Sequence, residues 1–124
     1  MLSDISTYLK NQGVGTPGTD MFLGLMPDQP DNCVALFEYA GSPPDLHWSG
    51  EYPGLQVRVR NKSYAAARTK IGEVMEKLHG LHEQTLSGTR YLLIKARGSP
   101  EILKRDNNNR VELFVNFEII KERE

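Results

Sequence analysis

Residues Gly13-Val14-Gly15-Thr16-Pro17-Gly18 spell G-x-G-x-x-G, the spacing with which dinucleotide-binding folds bring a backbone turn against a pyrophosphate. That chemistry needs a strand before the glycines and a helix after them, because the phosphate rests on the helix N-terminus. Here the order is reversed. Residues 3–11 have helical spacing, with Ile5, Tyr8 and Leu9 on one side, a cap at Ser3 or Asp4 and a stop at Gly13. An apolar strand, residues 20–26, follows the last glycine. The segment therefore reads as a flexible helix-to-strand connector. His79 and His82 form H-x-x-H with Glu83 beside them, but a zinc site takes three or four ligands and nothing else clusters there. They read as exposed histidines. Cys33 as a nucleophile would need a base and an electropositive setting; it reads instead as a small buried hydrophobe. With no Ser/His/Asp arrangement and no paired carboxylates standing out, the expectation is no catalytic residue, no cofactor and no metal.

The remaining polar chemistry suits contact. Arg58, Arg60 and Lys62 alternate along a strand. They could meet phosphate, or Glu112 and Glu118 on a neighbouring strand could balance them as cross-strand pairs. His47 and Trp48 lie in residues 41–54, "GSPPDLHWSGEYPG", the longest irregular segment. Tryptophan there fits a contact surface or a plug over the sheet edge equally well.

These residues must be positioned by a small set of elements. Residues 27–32, "PDQPDN", are turn chemistry. Residues 33–40 alternate, with Cys33, Ala35, Phe37 and Tyr39 forming the more apolar face. Residues 55–60 place Leu55, Val57 and Val59 inward and Gln56, Arg58 and Arg60 outward on a solvated face. Residues 63–80 are the strongest helix, capped by Ser63 and stopped at Gly80. Tyr64, Ala67, Ile71, Val74 and Leu78 make its apolar stripe, Glu73 and Lys77 pair outside, and Gly72 marks a close approach to the sheet. Residues 82–89 read as loop. Residues 90–97 and 110–120 read as strands, the latter with Val111, Leu113, Val115, Phe117 and Ile119 on one face, after a hairpin at Asp106–Asn109. The order is α-β-β-β-α-β-β, which predicts an α+β fold: a mainly antiparallel twisted sheet with the long helix packed on one face and a short N-terminal helix. A doubly wound parallel sheet would need alternating β and α units with apolar strands.

The chain has 124 residues, enough for one domain spanning 1–124 with its own core. Hydrophobic residues make up 39%, charged residues 25%, and the formal net charge is −1. Residues 1–62 carry 7 acids and 4 bases and residues 63–124 carry 9 and 11, too mild an asymmetry for a nucleic-acid or membrane footprint. A single cysteine excludes an internal disulfide framework and fits a reducing compartment. The N-terminus lacks the basic, apolar character of a signal peptide, and no apolar run approaches membrane-spanning length. A soluble protein made in the cytosol is expected.

Three stretches together, "GTDMFLGLMPDQPDN", "YPGLQVRVRNKSYAAARTKI" and "GSPEILKRDNNNRVELFVNFEII", resemble the bacteriophage minor capsid protein family, related to the tail terminator (tail completion) proteins of long-tailed phages. The resemblance covers residues 1–120. It implies a non-enzymatic structural virion protein: a small α+β subunit of a hexameric ring that caps the tail tube, stops its growth and meets the head–tail connector. The partners implied are a second copy, the tail tube protein and the connector protein, with neither membrane nor specific nucleic acid. Assembly would occur in the host cytoplasm, before residence in the virion tail at the head–tail interface. Arg105, Asp106 and Arg110 match the family's hairpin motif, and Tyr52, Pro53, Gly54, Arg58 and Arg60 match its central strand. With Trp48 from the long loop, the interaction candidates are Trp48, Tyr52, Arg58, Arg60, Arg105, Asp106 and Arg110. Changing Arg105 and Arg110 together to glutamate is expected to spare folding and impair assembly. Relatives more often have a shorter, glycine-containing turn where this chain has "DNNN". The alternatives to weigh are a small α+β enzyme or ligand-binding domain, with the 41–54 loop as a lid and His47 or His82 as acid/base, and a nucleic-acid binder using residues 58–62.

Overall fold

A computed structural model describes residues 1–123. The elements run α1 (Leu2–Asn11), β1 (Met21–Leu23), β2 (Cys33–Ser42), β3 (Gly50–Asn61), α2 (Tyr64–Leu78), β4 (Leu81–Leu86), β5 (Thr89–Ala96), β6 (Glu101–Arg105) and β7 (Val111–Glu122). The strands form one sheet in the order β1-β2-β3-β7-β5-β4. β1 pairs parallel with β2, and the other pairings are antiparallel. β7 is the organising strand. One edge pairs with β3 from Val111 to Glu122. The other is divided between β6, opposite residues 111–114, and β5, opposite residues 117–121. This is the α+β fold expected, with two more strands than the sequence suggested.

Both helices cover the same face. Ile5 and Leu9 of α1 join Ala67, Ile71, Val74 and Leu78 of α2 in one buried cluster with Leu55, Val57, Val59, Leu113, Val115, Phe117 and Ile119. Strand residues two apart point the same way, so alternation on β3 and β7 fixes this face directly. On β2 the core side is the Val34/Leu36 face, not the face carrying Cys33, Ala35, Phe37 and Tyr39. All of Cys33–Leu36 are buried, so apolarity alone could not choose the side. Among the described residues, the opposite face of the sheet carries no helix.

Local chemistry explains the helix ends. The Ser63 hydroxyl accepts from the Ala66 backbone N–H at 3.2 Å, a capping bond at N3. Gly80 follows α2 with φ +83°, a left-handed stop that favours glycine. Three details differ from expectation. Tyr64 is 47% exposed rather than in the stripe, Glu73 pairs with Lys70 at 3.4 Å instead of with Lys77, and Gly72 faces open space. At α1 the cap position is Met1, without a side-chain bond. Asp4 lies inside the helix, where it accepts the Tyr91 hydroxyl at 2.7 Å.

Residues 82–89, expected as loop, supply nearly all of β4 and the turn of a β4–β5 hairpin. Its turn is Ser87-Gly88, with φ +49° and +86°, the double positive φ of a type I′ turn. β4 is polar and mostly exposed, so no alternation announces it. β6 is likewise exposed along its whole length. The 41–54 segment is also more regular than expected: β2 extends to Ser42 and β3 starts at Gly50, leaving only residues 43–49 irregular.

The glycine-rich segment is a packed corner. Val14 is buried in the core. The Thr16 N–H donates to the Asp20 carboxylate at 2.7 Å, and the Thr16 carbonyl accepts from Thr19, Asp20 and Met21. An intrinsic carboxylate thus takes a donor that a phosphate would need, and a strand follows.

Candidate assembly surface

The sheet presents two differently built ends, joined by its helix-free face. At the end where β3 finishes and β7 begins, two arginines hold the 27–32 turn. Arg60 is 4% exposed. Its guanidinium donates to the carbonyls of Pro27, Asp28, Pro30 and Asp31. Arg110 is 3% exposed. It pairs with Asp106 at 2.7 Å, Asp28 at 2.9 Å and Asp31 at 3.2 Å, and also donates to the Asp28 carbonyl. A planar guanidinium with five donors suits this many acceptors. The solvated-face reading of Arg60 is therefore wrong: it and Arg110 are internal anchors, because the turn folds over them.

Asp106 completes this end. Its carboxylate accepts from the backbone N–H groups of Arg110 and Asn108 as well as from the Arg110 side chain. The Arg110 backbone N–H above all holds its pKa below the ordinary carboxylate range, assisted by the Arg110 side chain. Asp31 is held down chiefly by its bond to Lys62, with Arg110 assisting. Arg105, in contrast, is exposed, with its guanidinium on the Asn109 side chain at 3.1 Å. Asn109 sits at φ +60°, so asparagine supplies the left-handed residue of this hairpin.

The opposite end is the 43–49 loop. Asp45 is its hub, accepting the His47 N–H at 2.8 Å and the Tyr52 hydroxyl at 3.1 Å. Trp48 donates its indole N–H to the Tyr52 oxygen at 3.3 Å. Its ring lies over Gly50, where a Cβ would fall 1.9 Å from it. Trp48 and Tyr52 are thus brought together, with Trp48 still exposed and Tyr52 half-buried.

Between the ends, the helix-free face carries Arg58 stacked 4.5 Å above the Phe37 ring, with its Nε on Gln56 at 2.6 Å and Gln56 on Asn116 at 3.0 Å. The glutamates do not balance Arg58 and Arg60 as expected: Glu112 pairs with Lys104 at 3.6 Å and Glu118 with Arg97 at 3.4 Å. A shallow cleft of about 420 Å³ lies over Phe37, Arg58, Lys104 and Glu112.

His79 accepts the Ala96 N–H at 3.0 Å, His82 bonds the Gly80 carbonyl at 3.0 Å, and His47 stands on the far loop. Neither cleft beside the β2–β3 hairpin is lined by a histidine. Burial pushes the Cys33 thiol pKa up, the reverse of nucleophile activation. Sequence reasoning missed Lys121, which is buried, pairs with Glu51 and lies 5.8 Å from the Tyr91 ring. Its place on the core face of β7, two residues past Ile119, was the available signal.

A search of curated proteins finds no match. Among solved structures, the chain shares its fold with a chain of the "Virion of native gene transfer agent (GTA) particle". The TM-score is 0.67 and the identity 18%, with 86% of this chain and 81% of that chain covered. The sequence match is to the family described as "Bacteriophage tail terminator protein", and it runs from residue 8 to residue 123. Spanning every strand of the sheet, all of α2 and the last turn of α1, that match shows that the chain belongs to the bacteriophage tail terminator family, a family of structural tail completion proteins.

Proposed function

We propose that copies of this chain, each folded as one domain, close into a ring, hexameric as the resemblance implies. The ring caps the finished tail tube and receives the head connector. Subunits assemble in the host cytoplasm and remain at the head–tail interface of the virion. The observation that carries this reading is the family match over residues 8–123. A ring of one chain needs a heterologous interface whose rotation closes, and two unlike ends on one sheet supply unlike surfaces. Trp48, Tyr52, Arg58 and Arg105 are the candidates nearest partners. Arg60, Asp106 and Arg110 act by holding the 27–32 turn and the hairpin in shape.

Mass photometry over a concentration series, with and without purified tail tubes, tests the ring. A discrete oligomer of one size, formed at high concentration or on tubes, is expected. A protein that stays monomeric throughout and never associates with tubes would contradict the proposal.

A further inference from the structure

The helix-free face holds an arginine that is fixed at one end and unsatisfied at the other. Arg58 is half-buried. Its Nε is engaged by Gln56, which Asn116 orients in turn, and its guanidinium rests on the Phe37 ring. The two terminal nitrogens have no hydrogen bond or ion pair among the described residues. Of the five N–H donors of a guanidinium, the four on those nitrogens are therefore left without a protein acceptor. The carboxylates within the same cleft and beside it are committed elsewhere. Glu112 pairs with Lys104 and Glu118 with Arg97, while Asp28 and Asp106 pair with Arg110.

The surroundings prepare this group for a contact. Arg58 stands opposite Phe114 of β7, which is also half-buried, and shares the shallow cleft with Phe37 and Met26. Arginine, aromatic residues and methionine are the types enriched at protein interfaces. The ring and the Gln56 bond have already displaced part of the guanidinium's water and set its orientation, so less is lost when a partner arrives. Two observations define the occupant. A planar fork with parallel N–H groups matches a carboxylate bidentately. A nucleic-acid backbone would instead need several free cations in a row, and those flanking Arg58 are taken: Arg60 and Arg110 by the 27–32 turn, and Lys104 by Glu112.

We infer that Arg58 is the receptor for a carboxylate side chain of a partner protein, which enters the cleft beside Phe37 and closes the free edge of the guanidinium. The inference rests on the assembly reading above and supplies the chemistry of one contact within it.

Substitution and zero-length cross-linking test it. Arg58→Gln removes the cation and the fork while keeping a polar side chain beside Phe37. It should melt within about 5 °C of wild type, because one cation stacked on one ring at a half-open site contributes little. It should raise the concentration for half-maximal capping of purified tail tubes about tenfold or more. Arg58→Lys keeps the charge without the fork and should weaken capping less. Its amine gives the second readout, since carbodiimide joins an amine to a carboxylate in direct contact and leaves arginine alone. Tubes capped at saturating Arg58→Lys, treated with carbodiimide and digested for mass spectrometry, should show position 58 linked to an aspartate or glutamate of another chain. The unassembled variant should lack that link. A lowered melt with unchanged capping would overturn the inference by making Arg58 a cover for Phe37 and nothing more. Capped tubes with no link at position 58, or with links only to Glu112, Asp28 or Asp106 of its own cleft, would also overturn it. So would Arg58-dependent binding of a DNA oligonucleotide with unchanged capping, which assigns the cation to phosphate. In each of these cases wild-type capping persists and the assembly reading stands; a wild-type protein that never caps tubes overturns both.

Discussion

Leu113→Asp is expected to remove most or all of the domain's folding stability. Leu113 is fully buried near the start of β7, between Val59 of β3 and Ile102 of β6, inside the cluster that holds both helices. An aspartate there has neither water nor a charge partner. Burying an unpaired carboxylate, together with losing the leucine's packing, costs about 4 kcal/mol or more, against a total stability of about 5–15 kcal/mol for a domain. Circular dichroism with thermal melting measures this directly. A normal melt would reject the assignment of the core face, and with it the register of the central strands. Tyr64→Ser on the exposed side of α2 is the matched control and should shift stability by only about 0.5 kcal/mol.

The second large effect is at Arg110. Arg110→Ala should fold but melt lower by about 10 °C or more, because it strands three carboxylates that now share one guanidinium. Arg110→Glu should be worse, placing a fourth acid among them. Arg105→Glu, on an exposed side chain, should leave the melt near wild type. The glutamate pair expected from sequence to spare folding therefore divides: position 110 reports on stability and position 105 on assembly. An equal loss of stability at both would refute the anchor role of Arg110. The same cluster sets the acid behaviour. Asp106 and Asp31 have folded pKa values below their unfolded ones, so their contribution is present at neutral pH. It is lost as pH falls from about 4 through their lowered folded values. Asp106→Asn should reduce neutral stability and make the decline at low pH shallower.

What could be read from sequence followed the strength of periodic signals. Leu55/Val57/Val59, the alternation of residues 111–119 and the Ala67/Ile71/Val74/Leu78 stripe placed the central strands and α2 correctly. G-x-G-x-x-G was rejected on order alone, and the Asp20 turn gives the physical reason. β4 and β6 were illegible because edge strands that bury little carry no alternation. On β2 the more apolar face is not the one in the core cluster, because both faces of Cys33–Leu36 are buried there. The arginines misled most. On a strand, an alternating arginine reads as solvated, but Arg60 is covered by a turn from another part of the chain, and no local pattern encodes that cover. Trp48 and Tyr52, both interaction candidates from sequence, serve the loop between Asp45 and Gly50 as its brace, which leaves Leu46 outermost.

The central claim is that this protein ends tail-tube growth by capping the tube. Its most direct test is electron microscopy of tubes polymerised from purified tube protein, with and without this chain. The account predicts shorter tubes of narrower length distribution, each carrying a ring of this protein at one end only. Tubes of unchanged length with bare ends, at concentrations where the protein is folded, would contradict it.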